Sequence, residues 1–432
     1  MIAILKREWK SYFQNITGWL FIAAVLALYG LYFLAYNLRA GYPYVSYTLS
    51  AISFIMLIAV PILTMRSMAE ERHSRTDQLV LTAPVSLGKM IFGKFLAMVG
   101  VFTVAVAVIA VTPLVLAAFG TVPMGENYVA VLGFWLYGCT CIAVGMLASA
   151  LTESQVIAAV VAFAFLFLGY MMNSITGLIG DHLITKVLGA YDLYTPLQSF
   201  MSGCLDLTGV VYFVSVTALC LFLTCQCVQK RRWSMTTKKL TTGMFSVAMI
   251  VVGFAVAVAV NMVVKEMPSS WTAVDATSTK LYSLTDTTKD YVKNLSQDVT
   301  IYVLSSEKSA DSTLAETLQR YEDLSKHLNV VYKDPAKSPN FYQQYTDSAP
   351  SQNSMIVVSD ARSRVVDYSD IYEYSYDYST YSSSVDGYDA EGQLTSALQY
   401  VTKADSELPV IYEITGHGEN TLSGGFSEAV EK

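Results

Sequence analysis

The chain has 432 residues, of which 53% are hydrophobic and only 15% charged, and a net charge of −7. Its mean hydropathy of +0.41 is too high for an ordinary soluble protein, and its length too great for one small domain. A membrane protein is expected, with no nucleic-acid partner.

Uncharged runs fall at 18–36, 46–64, 95–124, 127–152, 155–180, 207–229 and 240–264. About 20 apolar residues cross roughly 30 Å of hydrocarbon. Seven spanning helices follow, because lipid offers backbone N–H and C=O groups no partner outside a helix. Pro61 and Pro113 lie inside two of the runs and should kink them. The first run is too long, and lacks the small-residue cleavage site, for a cleaved signal peptide.

Residues 1–264 hold 15 Lys and Arg against 9 Asp and Glu, a net +6, while residues 265–432 hold 13 against 26, a net −13; together these give −7. With Lys6, Arg7 and Lys10 in the cytoplasm, the outer loops carry only Arg39 and Lys186. The positive-inside rule therefore sets a cytoplasmic N-terminus. An odd number of spans then leaves residues 265–432 outside. All six cysteines lie in the membrane half, so no disulfide or thiol chemistry is expected in the outer part. Cys139/Cys141 and Cys225/Cys227 are one residue apart, on opposite sides of a helix, which favours packing over a soft metal site.

Residues 65–90 put seven charged side chains between two uncharged runs. Positions 67–82 are compatible with a helix that Pro84 ends, bearing Glu70, Glu71, Arg72, Arg75 and Asp77. Such a helix can lie along the inner membrane surface and offer a face to a cytoplasmic partner, or simply hold the topology as a solvated loop. The stretch "GKMIFGKF" at 88–95 has phosphate-loop spacing, but Phe95 stands where the motif needs a hydroxyl for Mg²⁺, and no strand precedes it. Nucleotide binding on this chain is not expected, so its cofactor set is empty and any ATP and Mg²⁺ belong to a partner. Lys89 and Lys94 are read as interfacial anchors among lipid headgroups.

The stretch "MAEERHSRTDQLVLTAPVSLGKMIFGKFLA" (68–97) resembles the cytoplasmic segment after the second helix of type-2 ABC exporter permeases. "DLYTPLQSFMSGCLDLTGVVYFVSVTALCLFLTCQCVQKRRW" (192–233) is similar to the end of the same permease domain. With six spans at the expected spacing, the resemblance covers residues 1–233. It implies a permease dimer and a separate ABC ATPase subunit that docks on a coupling helix at 67–84, with Glu70, Glu71, Arg72, Arg75, Asp77 and, at the short inner turn, Glu153 as coupling residues.

Residues 234–268 form a basic cytoplasmic linker and the seventh span. Beyond it, "DATSTKLYSLTDTTKDYVKNLSQDVTIYVLSSE" (275–307), "EGQLTSALQYVT" (391–402) and "VIYEITGHGE" (410–419) resemble the auxiliary subunits of gliding-motility-type ABC transporters. Members of that family usually continue well past the Gly-His-Gly-Glu and close with another membrane helix, so 406–432 is read as the start of a second α/β subdomain whose extent stays open.

Read from its own residues, 269–405 is α/β. "VTIYVL" (299–304), "NVVYK" (329–333), "SMIVVS" (354–359) and "PVIYEI" (409–414) read as strands, and 310–327 and 390–403 as helices. With "RVVDYSDIY" as a further strand, the order suggests a thioredoxin-like layout without its cysteines. Residues 365–392 hold seven tyrosines and seven acids; composition favours an acidic loop, while Tyr372, Tyr374 and Tyr376, with His417 and Glu419 after the last strand, are the candidate ligand contacts. No catalytic or metal-binding set is expected. No charge sits mid-span, which argues against an ion-driven pump. The expected fold is thus an α-helical polytopic membrane domain followed by an extracytoplasmic α/β domain. The expected function is the permease and auxiliary region of an ATP-driven exporter in a bacterial plasma membrane. A membrane-anchored ligand-binding or sensing protein without transport is the alternative.

Overall fold

In hydrocarbon a helix satisfies its own backbone, so each uncharged run becomes one. The structure, a computed structural model, describes residues 2–75, 86–179, 188–230, 240–265, 267, 272–275, 283–306, 309–377 and 382–403. Asp77, "PVIYEI", His417 and Glu419 lie outside the described residues. Among those described, seven helices are long and apolar enough to cross a membrane. Two compact units are formed, residues 1–284 with 311–323, and residues 285–310 with 324–432.

The first unit opens with α1 (Ile2–Gln14), a helix outside the seven candidates, then α2 (Ile16–Phe33), which runs into a π-helical turn over Leu34–Arg39. The buried Asn37 in that turn donates from Nδ2 to the carbonyls of Tyr42 (2.7 Å) and Tyr44 (3.0 Å). The following chain needs these partners, because unpaired polar groups at membrane depth cost several kcal/mol (on the order of) each. Asn127 supports the same loop from the other side, accepting from Val45 N at 2.7 Å and donating to Pro43 O at 3.1 Å.

Next come α3 (Val45–Thr64), with Pro61 inside it, and α4 (Arg66–His73). The third expected span is divided into α5 (Leu87–Ile109) and α6 (Thr112–Ala117). Pro113 has no N–H for the Ile109 carbonyl four residues back. The Thr112 hydroxyl supplies the missing donor at 2.7 Å. Gly88–Phe95 lies within α5 as continuous helix, not as a phosphate-cradling loop.

Helix α7 (Met124–Leu151) is the central one, with most of its residues buried against α3, α5 and their neighbours. Gly145 lets α3 approach closely, since a Cβ there would fall inside contact distance of Thr64. Then follow α8 (Gln155–Ile179), α9 (Thr195–Met201), a short strand β1 (Cys204–Asp206) and α10 (Leu207–Lys230). The seventh span, α11 (Leu240–Lys265), meets α10 through Gly253 against the Phe222 ring and a 2.7 Å hydrogen bond from Asn261 Nδ2 to Ser215 Oγ. No residue of its hydropathic window is buried, as expected of a surface that meets lipid. Strand β2 (Ala273–Asp275) pairs antiparallel with β1.

In the second unit Thr285 caps α12 (Asp286–Lys293). Alternating burial along "VTIYV" makes β3 (Val299–Val303), with Val299, Ile301 and Val303 buried. Helix α13 (Ser312–Leu324) follows in the chain but falls almost entirely in the first unit. Strands β4 (Leu328–Tyr332), β5 (Met355–Val358) and β6 (Ser363–Val366) complete a sheet of order β4-β3-β5-β6. β3 and β4 are parallel, while β3/β5 and β5/β6 are antiparallel. That order is compatible with a thioredoxin-like layout.

The acidic tyrosine segment departs from the loop that composition favours. β7 (Tyr372–Asp377) pairs antiparallel with β8 (Ser382–Tyr388). The cause is period: "YEYSYD" alternates large and polar residues, the pattern of a strand, and composition carries no period. Helix α14 (Ala390–Thr402) ends the described chain and buries Leu394, Ala397, Leu398 and Val401. Thr285 donates to Glu391 Oε1 from its N (2.8 Å) and Oγ1 (2.7 Å), and Tyr291 meets Thr402 at 2.6 Å. The stretches 275–307 and 391–402 therefore meet through Thr285 with Glu391 and Tyr291 with Thr402.

Asp367 is the polar anchor of this unit. Burial alone would raise its pKa, yet donors from Ser351 (N at 2.9 Å, Oγ at 2.7 Å), Ser369 (N at 3.0 Å, Oγ at 2.8 Å) and Ser354 Oγ (3.0 Å) hold the carboxyl well below its ordinary 3.8. A depressed folded pKa stabilises above the unfolded value and is lost as pH falls through the folded one. Asp367→Ala should therefore cost about 2 kcal/mol near neutrality. Its difference from wild type, followed by thermal unfolding of the full chain, should stay constant above pH 4 or so and shrink below that. A difference that grows with acid would contradict the assignment.

Candidate functional site at the inner helix ends

The charged segment begins where α3 stops. The Pro61 N–H is absent, the helix turns at Met65, and α4 starts at Arg66 with unsatisfied N–H groups. A residue from another helix caps them: Ser149 Oγ of α7 accepts from Met68 N and Ala69 N, both at 3.1 Å, and donates to Met65 O at 3.0 Å. The first turn of α4 is thereby fixed to the central helix. At its far end Ser74 Oγ donates to Glu70 O at 2.9 Å and Arg75 takes a positive φ of 58°. Helix α4 thus ends at His73, where the chain turns through a left-handed residue at Arg75, and positions 76–82 of the expected helix lie outside the described residues. Nothing in the 67–82 pattern signals Arg75 as that turn.

The coupling residues read from sequence are engaged within the chain. Glu70 accepts a two-pronged contact from Arg66, at 2.7 Å from Nε and 2.9 Å from Nη2. Glu71 meets Lys94 Nζ at 2.7 Å and Arg7 Nη2 at 3.3 Å. Arg72 pairs with Glu153 at 2.7 Å and donates to Leu151 O at 3.3 Å, joining α4 to the inner end of α7 and the turn beyond. Arg75 is exposed at the end of the helix.

Lys94 corrects the anchor reading. Its side chain is 3% exposed rather than set among headgroups, because α5 begins at Leu87 and carries residue 94 two turns into the helix, opposite α1 and α4. Its Nζ donates to Ser67 O at 2.8 Å and lies 3.8 Å from Glu8 Oε1. Arg7 closes the group, 2.5 Å from Glu8. Two cations and two carboxylates thus tie α1, α4 and α5 together, while Lys89 stays exposed. Sequence reasoning missed Arg7, Glu8, Lys94 and Ser149; the available signal was a single acid among the bases of an amphipathic start, "ILKREWKSYF".

Taking Lys94 out of water costs several kcal/mol (on the order of), and only close counter-charges offset that. The group has no nucleophile beside a base and, among the described residues, no cluster of His, Cys, Asp or Glu fit to hold a metal. What it can do is mechanical. A displacement of α4 would act on α1 and α5 through the buried Lys94 and on α7 through Ser149.

The Tyr372 ring lies edge-on to Tyr368 (centroids 5.3 Å apart) and tilted against Tyr388 (5.1 Å). Tyr374 and Tyr376 fall in β7, with side chains outside the described set. The tyrosine candidates therefore share one hairpin, while His417 and Glu419 lie outside the described residues.

The fold is that of an α-helical multi-pass membrane protein followed by a small mixed α/β region. Residues 39–228 match the family model described as ABC-2 family transporter protein. This supports an ABC transporter permease in a lipid bilayer, a transport component rather than an enzyme in itself. Residues 278–371 match a Domain of unknown function (DUF7088). No curated protein and no solved structure matches the chain.

Lys94→Met should remove the buried cation 2.7 Å from Glu71, leaving the Glu71 and Glu8 carboxylates only the exposed Arg7, and cost about 3 kcal/mol. Adding Glu71→Gln should recover part of that loss in thermal unfolding of the detergent-solubilised chain. Strict additivity of the two substitutions would show that the pair does not act together.

Proposed function

We propose that this chain is the permease, joined to an extracytoplasmic auxiliary region, of an ATP-driven ABC exporter in a bacterial plasma membrane. Two permease units work with two copies of a separate ATPase, and ATP and Mg²⁺ are held by that partner. The observation carrying the reading is the ABC-2 match over residues 39–228, which contains α4 with its charge-locked seat. The excess of Lys and Arg in the inner segments supports a cytoplasmic N-terminus and an external 265–432.

Because Glu70, Glu71 and Arg72 are paired within the chain, the docking surface is assigned to the exposed end of α4 at Ser74 and Arg75 and to the segment after it, with the ion pairs as its mount. ATP-driven closure of the partner pushes there. The mount passes the push to α1 and α5 through Lys94, and to α7 through Arg72, Glu153 and Ser149. The external α/β region, anchored by α11, then acts on the cargo side of the membrane.

A photocrosslinker placed at Arg75 of the full chain in native membranes tests this directly. It should capture an ATPase subunit, and the yield should change when ATP is trapped. Capture of no ATPase, with the same label at Ser351 giving an equal set of cytoplasmic adducts, would contradict both the partner and the orientation.

A further inference from the structure

The amphipathic α1 precedes the segment matched by the transporter family, yet it is built into the ion-pair group. At about 100° per residue, Lys6, Lys10, Gln14 and Arg7 share one arc of the helix, and all four are exposed. The opposite side carries Ile4, Leu5, Glu8 and Tyr12, all partly buried. The helix has a single acid, Glu8, and it is turned inward to Lys94 and Arg7. The charges on the outward arc are therefore all positive. Among the described residues no ion pair involves Lys6 or Lys10.

Position fixes what meets this arc. The Trp9 ring packs on Gly100 of the spanning helix α5, where a Cβ would collide with it. Trp9, Phe13 and Trp19 form a ring cluster with centroids 5.0 and 5.4 Å apart, and Trp19 Nε1 donates to Phe13 O at 2.9 Å, fixing the corner between α1 and α2. At that corner Ile16 (80% exposed), Trp19 (59%) and Leu20 (57%) are left bare, as is Ile2 (65%) at the other end of α1. Bare apolar and indole side chains beside a cationic arc, held against the flank of a spanning helix, match the boundary between acyl chains and headgroups. An acidic protein partner would match the cations but not the apolar flank.

We propose that α1 is a binding site for anionic lipid headgroups, whose phosphates are held by Lys6 and Lys10 with the tails against Ile2, Ile16, Trp19 and Leu20. Arg7, 56% exposed and paired with Glu8 and Glu71, lies beside the bound headgroup and connects it to the ion-pair group. The proposal rests on the membrane fold and is independent of whether an ATPase is the partner.

The test is native mass spectrometry of the full chain purified in neutral detergent and offered phosphatidylglycerol or phosphatidylcholine at equal amounts. Wild type should retain phosphatidylglycerol in excess, and the doubly substituted K6Q/K10Q chain should lose that excess by on the order of tenfold. K6R/K10R, which keeps the charge, should preserve it. Free phosphate at the lipid's concentration should not displace the lipid, because it lacks the tails. Equal retention of the two lipids by wild type would overturn the proposal whatever the variants do. So would undiminished phosphatidylglycerol excess in K6Q/K10Q.

Discussion

A lysine placed two turns inside an apolar helix is tolerable only if carboxylates reach it, and that requirement organises the end of the membrane domain where α1, α4 and α5 meet. Lys94 needs Glu71, Glu71 belongs to α4, and α4 can present it only if its own first turn is held in place. Ser149 of the central helix does the holding. Glu8 brings in α1 by the same demand, with Arg7 balancing the second carboxylate. Each contact is modest in water and strong where water is excluded, so the group behaves as one unit.

The consequence for function is directional. Helix α4, whose far end is exposed, is tied to α1 and α5 through Lys94 and to α7 through Ser149. A loop joined only by its chain ends would absorb a push locally. A helix seated on buried ion pairs passes it on. In the second unit the polar contacts, Asp367 with its serines and Thr285 with Glu391, close on the unit itself.

The spans were legible because hydrocarbon demands long uncharged helices, and their bounds agree with the runs to within a few residues in most cases. Pro113 was legible as a disturbance, though only the structure shows that Thr112 mends it. Strands β3, β4 and β5 were readable from alternation, whereas the pairing of β1 with β2 joins segments about 70 residues apart in the chain and has no local signal. The hairpin β7–β8 was hidden by composition, since seven acids and seven tyrosines suggest solvation and only their period suggests a strand. At the site, the charged residues of α4 were visible but their partners were not. Arg7, Glu8 and Lys94 lie in other helices, and a charge pattern does not tell an exposed lysine from one buried two turns into a span.

The central claim is that α4 and α1 move as one body because Lys94 binds them. Spin labels at Lys10 and Ser74, both exposed, in a background without native cysteines, measure it most directly. A single narrow distance distribution is expected in wild type, in the presence and absence of the energised partner, broadening in Lys94→Met. A broad or bimodal distribution in wild type, or an unchanged narrow one in Lys94→Met, would contradict the account.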